Sequence, residues 1–262
     1  MTPAILSIDG AWDTALAALT VVLALAMIWV LLDRWSRPAL LARQAWRRAG
    51  FGRVLLVVLS VLTLGVVVED VVNRGHDEVV LRLDRAARNT GRSLTARSEV
   101  RATARTVSQL AGTGLAAGVV LAAAGFVAAR RPAHAGILLV GTLSAWILHL
   151  GLKVAFKIPR PGRPATDHAI SGYGFPSGHV LVTLVACGLL AWLIGPRLRR
   201  GPRRLLLAGV VLVPVLVGTA RVILRVHFAS DVIASLALGA LWLNLLILAV
   251  TQYGLQRRPH AP

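Results

Sequence analysis

A single cysteine, Cys187, among 262 residues excludes an intrachain disulfide. Its place inside an apolar run reads as inert packing, so cysteine usage says little about compartment. Charge is also scarce: 15% of the residues are charged, whereas a soluble domain carries about 25%. Among the charged side chains acidic ones are the minority, 11 Asp and Glu against 29 Lys and Arg, which leaves a net charge of +18. In a soluble protein that excess would suggest nucleic acid. Here most arginines lie in links between apolar runs, where they orient a membrane protein, and no nucleic-acid partner is expected. There is no repeat and no low-complexity tract. What fills the chain is apolar: 56% hydrophobic residues and a mean hydropathy of +0.70.

About 20 apolar residues cross a bilayer as a helix. Seven stretches approach that length: Thr14 to Leu32, Val54 to Val72, Val107 to Ala129, Gly136 to Phe156, Val180 to Ile194, Leu205 to Ala220 and Val232 to Val250. The expected architecture is therefore an all-α, polytopic membrane helix bundle. The first stretch begins with Asp9 and Asp13 and has no early basic residue. It is expected to be a retained helix and not a signal peptide. Trp12, Trp35 and Trp46 flank spans as interfacial anchors do.

With seven spans, four basic segments fall on one side. These are the link carrying Arg34, Arg37, Arg43, Arg47, Arg48 and Arg53; Arg130 and Arg131; the group from Arg197 to Arg204; and the tail with Arg257 and Arg258. That side is expected to be cytoplasmic. The segment His76 to Thr106 then lies outside, although it carries seven arginines, and two readings stand for it. It is a solvated loop, or Val79, Val80, Leu83 and Ala87 form one face of an interfacial helix. Its basic outer face would attract anionic headgroups.

Three stretches place polar residues at span ends, where ionisable groups are costly and usually functional. His227 and Asp231 are four apart and share a helix face. The carboxylate can hold one ring nitrogen and leave the other free to attack, and Arg221 can reach the same site and bind phosphate oxygens. In Phe175-Pro176-Ser177-Gly178-His179, Pro176 and Ser177 read as a helix start with Ser177 as cap. Gly178 admits a ligand close to the backbone, the free N–H groups suit an anion, and His179 stands where it can protonate a leaving oxygen. Lys153 and Arg160 would lie about 10 Å apart on an unbroken helix. Pro159 and Pro161 break it, so both cations can fold onto one phosphate. Lys153, Arg160 and Arg221 supply three positive charges, and no metal or other cofactor is required. All three stretches fall on the outer side in the seven-span scheme.

These residues resemble the type 2 phosphatidic acid phosphatase (PAP2) family, related to vanadium haloperoxidases. The motifs Lys-x6-Arg-Pro, Pro-Ser-Gly-His and Arg-x5-His-x3-Asp occur in order. The resemblance covers roughly Val54 to Val250. It implies a six-helix catalytic bundle over 54–251, preceded by an extra transmembrane helix and basic link at 1–53 and followed by a tail at 252–262. It also implies roles: His227 as nucleophile forming a phosphohistidine, Asp231 as its orienting partner, His179 as general acid, and Lys153, Arg160, Ser177, Gly178 and Arg221 as phosphate ligands. The implied protein is a metal-independent phosphatase of the cell membrane. Its substrate would be a lipid phosphate or polyprenyl diphosphate at the extracytoplasmic face, with membrane lipids as partners and no oligomeric state specified. A lipid phosphotransferase or a non-catalytic anion-binding membrane protein are the alternatives. One departure is plain: Ala220 stands where the family usually has Ser, which removes a hydroxyl near the phosphate.

Among the remaining polar residues, His149 reads as a satisfied core histidine, His76, His134 and His260 as loop or tail residues, Arg163 as a headgroup contact, and Asp167 and His168 as solvated. Gly114 and Gly118 mark a close helix contact. Arg225 is an additional cation near the phosphate or a headgroup.

Overall fold

The computed structural model describes residues 57–66, 68, 78–161 and 172–256. The expected first span, its basic link, Trp12, Trp35, Trp46, His76, Arg163, Asp167, His168 and the tail from 257 lie outside these residues. The helices are α1 (Val57–Val66), α2 (Glu78–Thr95), α3 (Ser98–Gln109), α4 (Leu115–Ala128), α5 (Pro132–Phe156), α6 (Gly178–Ile194), α7 (Arg200–Ile223) and α8 (Ala229–Gln256). A π-helical turn, Leu110–Gly114, joins α3 to α4. Among the described residues five stretches are long and apolar enough to cross a membrane: Ser98–Ala128, Pro132–Phe156, Gly178–Arg197, Arg200–Ile223 and Ala229–Thr251. The spans thus outrun the apolar runs that announce them. α7 begins five residues before Leu205, and α8 continues to Gln256, past the domain boundary expected at 251.

α6 is the central helix and packs on α5, α7 and α8. Its Leu181, Val185, Leu189 and Leu193 form the main core with Leu138 and Ala145 of α5. Glycines seat the knobs of facing helices. A Cβ at Gly141 would meet Leu189, one at Gly188 would meet Leu243, and one at Gly218 would meet Cγ1 of Val232 at 2.4 Å. Such close backbone approach is the usual device where lipid leaves little hydrophobic drive between helices. The expected contact at Gly114 and Gly118 is not one of these: Gly118 faces open space and Gly114 meets only its own helix and Leu110. Outward positions are apolar and exposed, as at Leu121, Val140 and Leu205, the pattern of a lipid-facing surface.

Helix ends turn the chain by identifiable means. α5 starts with Pro132 at its first position, where a missing N–H costs nothing. It stops at Lys157, in the left-handed region (φ 49°), two residues before Pro159. α7 ends in paired bonds from Val226 N to the Arg221 carbonyl and from Arg225 N to the Val222 carbonyl. Arg225 is left-handed there at φ 58°, the position a C-terminal cap normally gives to glycine. α4 ends the same way at Arg130.

The His76 to Thr106 segment, open between two readings, is helical from Glu78 onward. The face packed into the bundle runs through Val80, Asp84 and Gly91, while Leu83 is 42% exposed.

Candidate active site

The alternating helices bring four ends together. Lys153 sits in the last turn of α5, Gly178 begins α6, Arg221 is in the last turn of α7, and Asp231 is in the first turn of α8. The arginine-bearing α4–α5 and α6–α7 links lie at the opposite ends of those helices.

Between α5 and α6 the chain doubles back. Gly174 N bonds to the Ile158 carbonyl at 2.6 Å and Arg160 N to the Gly172 carbonyl at 3.2 Å, with Pro159 and Tyr173 paired antiparallel. The Tyr173 carbonyl accepts from both Lys153 Nζ and Arg160 Nε. This pinch gathers the two cations. The helix break itself is Lys157 in its left-handed conformation, ahead of the prolines. Gly174 is a close approach: a Cβ there would lie 3.2 Å from Asp231 Oδ2.

Lys153, Arg160, Gly178, His179 and His227 line one cavity of about 820 Å³. Both imidazoles therefore face the same space. Ser177, Arg221 and Asp231 are buried just behind it. Asp231 Oδ2 lies 3.4 Å from His227 Nδ1 and accepts the Phe228 N–H at 2.9 Å. Nδ1 has no well-aligned hydrogen bond among the described residues. Burial, together with the charges of Arg221, Arg160 and Lys153, holds the His227 imidazole well below its ordinary pKa near 6.5. The ring is thus neutral and keeps a nucleophilic lone pair.

Ser177 departs from its expected role. It occupies the cap position of α6, yet its side chain makes no capping bond, and Oγ is unpartnered among the described residues. Pro176, joined to Phe175 by a cis peptide bond, lies outside the helix. The Ser177 N–H instead donates to Ser235 Oγ at 2.7 Å, and Ser235 Oγ donates to the Asp231 carbonyl at 2.6 Å. Ser235 thereby ties the start of α6 to α8. Arg221 Nη1 donates to Ser108 Oγ of α3 at 2.7 Å, so a serine far away in sequence sits beside the arginine whose usual neighbour is Ala220 here. Neither serine stood out in the sequence. The available signal was a hydroxyl on the inner face of an apolar helix, one turn after Asp231 in the case of Ser235.

His149 differs from the core histidine expected. It lines the cavity, its Nδ1 has no partner among the described residues, and its ring lies against Gly178, where a Cβ would come within 2.5 Å. The π turn also belongs to the site: a Cβ at Gly112 would lie 3.3 Å from His179 Nε2. π turns concentrate at functional positions. His134 is no loop residue; it opens α5, with Nε2 3.3 Å from Arg197 at the far end of the bundle. Arg225 is partly buried beyond the end of α7. Among the described residues no group of three His, Cys, Asp or Glu is placed to hold a metal ion. Apart from Thr113 and Thr142, the remainder of the cavity wall is apolar, with Val120, Leu139, Leu143 and Trp146 exposed.

Residues 134–254 match the family model for the PAP2 superfamily. The fold is similar to the structure described as the crystal structure of the first transmembrane PAP2 type phosphatidylglycerolphosphate phosphatase from Bacillus subtilis. The TM-score is 0.63 at 20% identity, covering 81% of this chain and all of that one. Among curated proteins nothing matches. The all-α membrane bundle expected from the sequence is thus the fold observed.

Proposed function

We propose that this chain, with its PAP2 superfamily segment at residues 134–254, is a multi-pass membrane phosphatase that hydrolyses a lipid phosphate through a phosphohistidine. The observation that carries the proposal is the shared cavity: the imidazoles of His179 and His227 face one space with Lys153 and Arg160, and a carboxylate stands 3.4 Å behind the His227 ring.

Asp231 addresses Nδ1 of His227, so Nε2 is the attacking atom. Nε2 forms a bond to phosphorus while the bond from phosphorus to the lipid oxygen breaks. His179 gives its proton to that oxygen, and the alcohol leaves. Asp231 stabilises the cationic ring, as an orienting carboxylate does in other histidine-dependent sites. Water then attacks phosphorus, giving its proton to His179, and the P–N bond returns its electrons to His227. Lys153, Arg160 and Arg221 balance charge on the phosphoryl oxygens, and the Gly178 N–H at the α6 start supplies a further donor. Catalysis of this kind rests on positioning and charge, and these side chains provide both without a metal.

The apolar wall that opens outward between α4 and α5 suits a lipid chain, with the phosphate at the polar end. The arginine-bearing links at the opposite end favour that end as cytoplasmic, which puts the phosphate site on the extracytoplasmic side. A phosphate-release panel tests the reading. Purified protein in mixed micelles is given phosphatidic acid, phosphatidylglycerol phosphate and a polyprenyl diphosphate, with and without chelator. Release from at least one lipid, insensitive to chelator and lost in His227→Ala, is expected. Turnover that persists in His227→Ala would overturn the nucleophile.

A further inference from the structure

Helix α2 carries a buried carboxylate that the mechanism above does not use. Asp84 is 8% exposed. Its Oδ1 accepts the Ser230 N–H at 3.0 Å, and its Oδ2 accepts the Ser230 hydroxyl at 2.7 Å. Ser230 lies in the first turn of α8, between His227 and Asp231. One turn along α2, the Arg88 guanidinium stands 5.3 Å from the centre of the Phe228 ring. Another turn on, Gly91 is packed so closely that a Cβ would lie 3.2 Å from the Val222 carbonyl. Positions 84, 88 and 91 share a helical face, and that face runs along the segment 222–230 from the end of α7 to the start of α8. The carboxylate also meets the positive end of α8.

We infer that Asp84 is a positioning residue: through Ser230 it fixes the first turn of α8 and so sets the His227 ring against Asp231. The argument is geometric. Residues 224–228 are a tight non-helical turn with a left-handed residue at Arg225. Such a turn has few bonds of its own to fix where His227 points. Asp231 can hold one end of that turn only if the start of α8 is itself held. Ser235 anchors α8 from the α6 side, and Asp84 anchors it from the other.

The inference rests on the phosphatase reading for its rate measurement, so a second readout is independent of any substrate. Asp84→Ala loses both bonds. Asp84→Asn keeps two, with its carbonyl accepting from Ser230 N–H and its amide donating to the hydroxyl, while removing the charge. Ser230→Ala loses one and is the milder variant if Asp84→Ala folds poorly. Full-length protein is assayed in micelles with phosphatidic acid. In parallel, carbethoxylation of His227 and of the distant His134 is followed by mass spectrometry. A slight misplacement of a catalytic group costs up to about 100-fold. Asp84→Ala is therefore expected to lose about 10-fold or more in kcat with KM within about twofold, and Asp84→Asn to stay within about threefold of wild type. The rate of His227 modification should change in Asp84→Ala and Ser230→Ala, while that of His134 does not. Unchanged His227 reactivity in folded Asp84→Ala overturns the inference even if no lipid is hydrolysed. Loss of rate matched by a rise in KM, or equal in Asp84→Asn and Asp84→Ala, also overturns it. Absence of turnover in wild type, with His227 reactivity still dependent on Asp84, would instead sink the phosphatase reading alone.

Discussion

Replacing Asp231 by asparagine keeps the shape of the side chain and changes the chemistry behind His227, the proposed nucleophile. The Oδ2 of Asp231 lies 3.4 Å from His227 Nδ1 and also receives the Phe228 N–H. An asparagine satisfies Phe228 only with its carbonyl in the place of that same Oδ2, which also faces Nδ1. Its amide then takes the place of Oδ1, the tautomer is kept, and the negative charge is lost. The charge lost can be scaled as well. At 3.4 Å and an effective dielectric constant of about 20, a fully formed imidazolium–carboxylate pair gains roughly 5 kcal/mol. A transition state that has developed about half of the ring charge forfeits roughly 2.5 kcal/mol, close to 100-fold in rate. The opposite amide flip gives up the Phe228 bond and donates to Nδ1, which reverses the tautomer as well; the comparable change in a serine protease triad, about 10⁴-fold, sets the upper end. Asp231→Asn is therefore expected to lower kcat by about 10²- to 10⁴-fold, with KM much less affected because the phosphate-facing cations are untouched. Phosphate release at saturating lipid concentration measures it, with His227→Ala as the background. A folded Asp231→Asn protein within tenfold of wild-type kcat would refute the assigned geometry.

Ser108→Ala removes the partner of Arg221 Nη1; a hydrogen bond to a charged group is worth about 1.5–3 kcal/mol, so kcat/KM should fall about 10- to 100-fold, and unchanged kinetics would remove Ser108 from the site. Because the His227 imidazole is held neutral well below pH 6.5 by burial and by Arg221, Arg160 and Lys153, the acid limb of kcat/KM should lie well below that pH. Arg160→Gln should move that limb upward, and a wild-type limb near 6.5 would contradict the electrostatics. The same shift has a stability consequence: the unfolded imidazole binds protons that the folded one refuses, so stability falls as pH drops below about 6.5 toward the lower folded value. A midpoint of thermal unfolding that is flat across this range would contradict it. Gly218→Ala places a methyl 2.4 Å from Cγ1 of Val232, a β-branched side chain with little freedom to move, so a loss of about 1–3 kcal/mol is expected. Val232→Ala should restore much of it in the double variant, and additive losses in unfolding measurements would disprove the clash.

Two things were legible along the chain: the class of the molecule, and the candidate polar residues that come to lie around one cavity. Apolar runs of membrane length leave few alternatives to a helical bundle, because a backbone in lipid must satisfy its own hydrogen bonds. Lys153, Arg160, His179, His227 and Asp231 could be read because charged groups at apolar helix ends are conspicuous and their spacing is local. How those ends are held emerges only on folding. The helix after Lys153 stops through a left-handed Lys157, Ser177 leaves its capping role to a bond with Ser235, and Ser108 and Asp84 reach the site from 113 and 146 residues away. The His76 to Thr106 segment shows the limit most clearly. Its leucine and valine pattern offered an interfacial face and gave no sign of the buried face through Asp84 and Gly91. A carboxylate buried against a serine on a distant helix is stabilised by a partner that no local periodicity reveals, and only folding brings the two together.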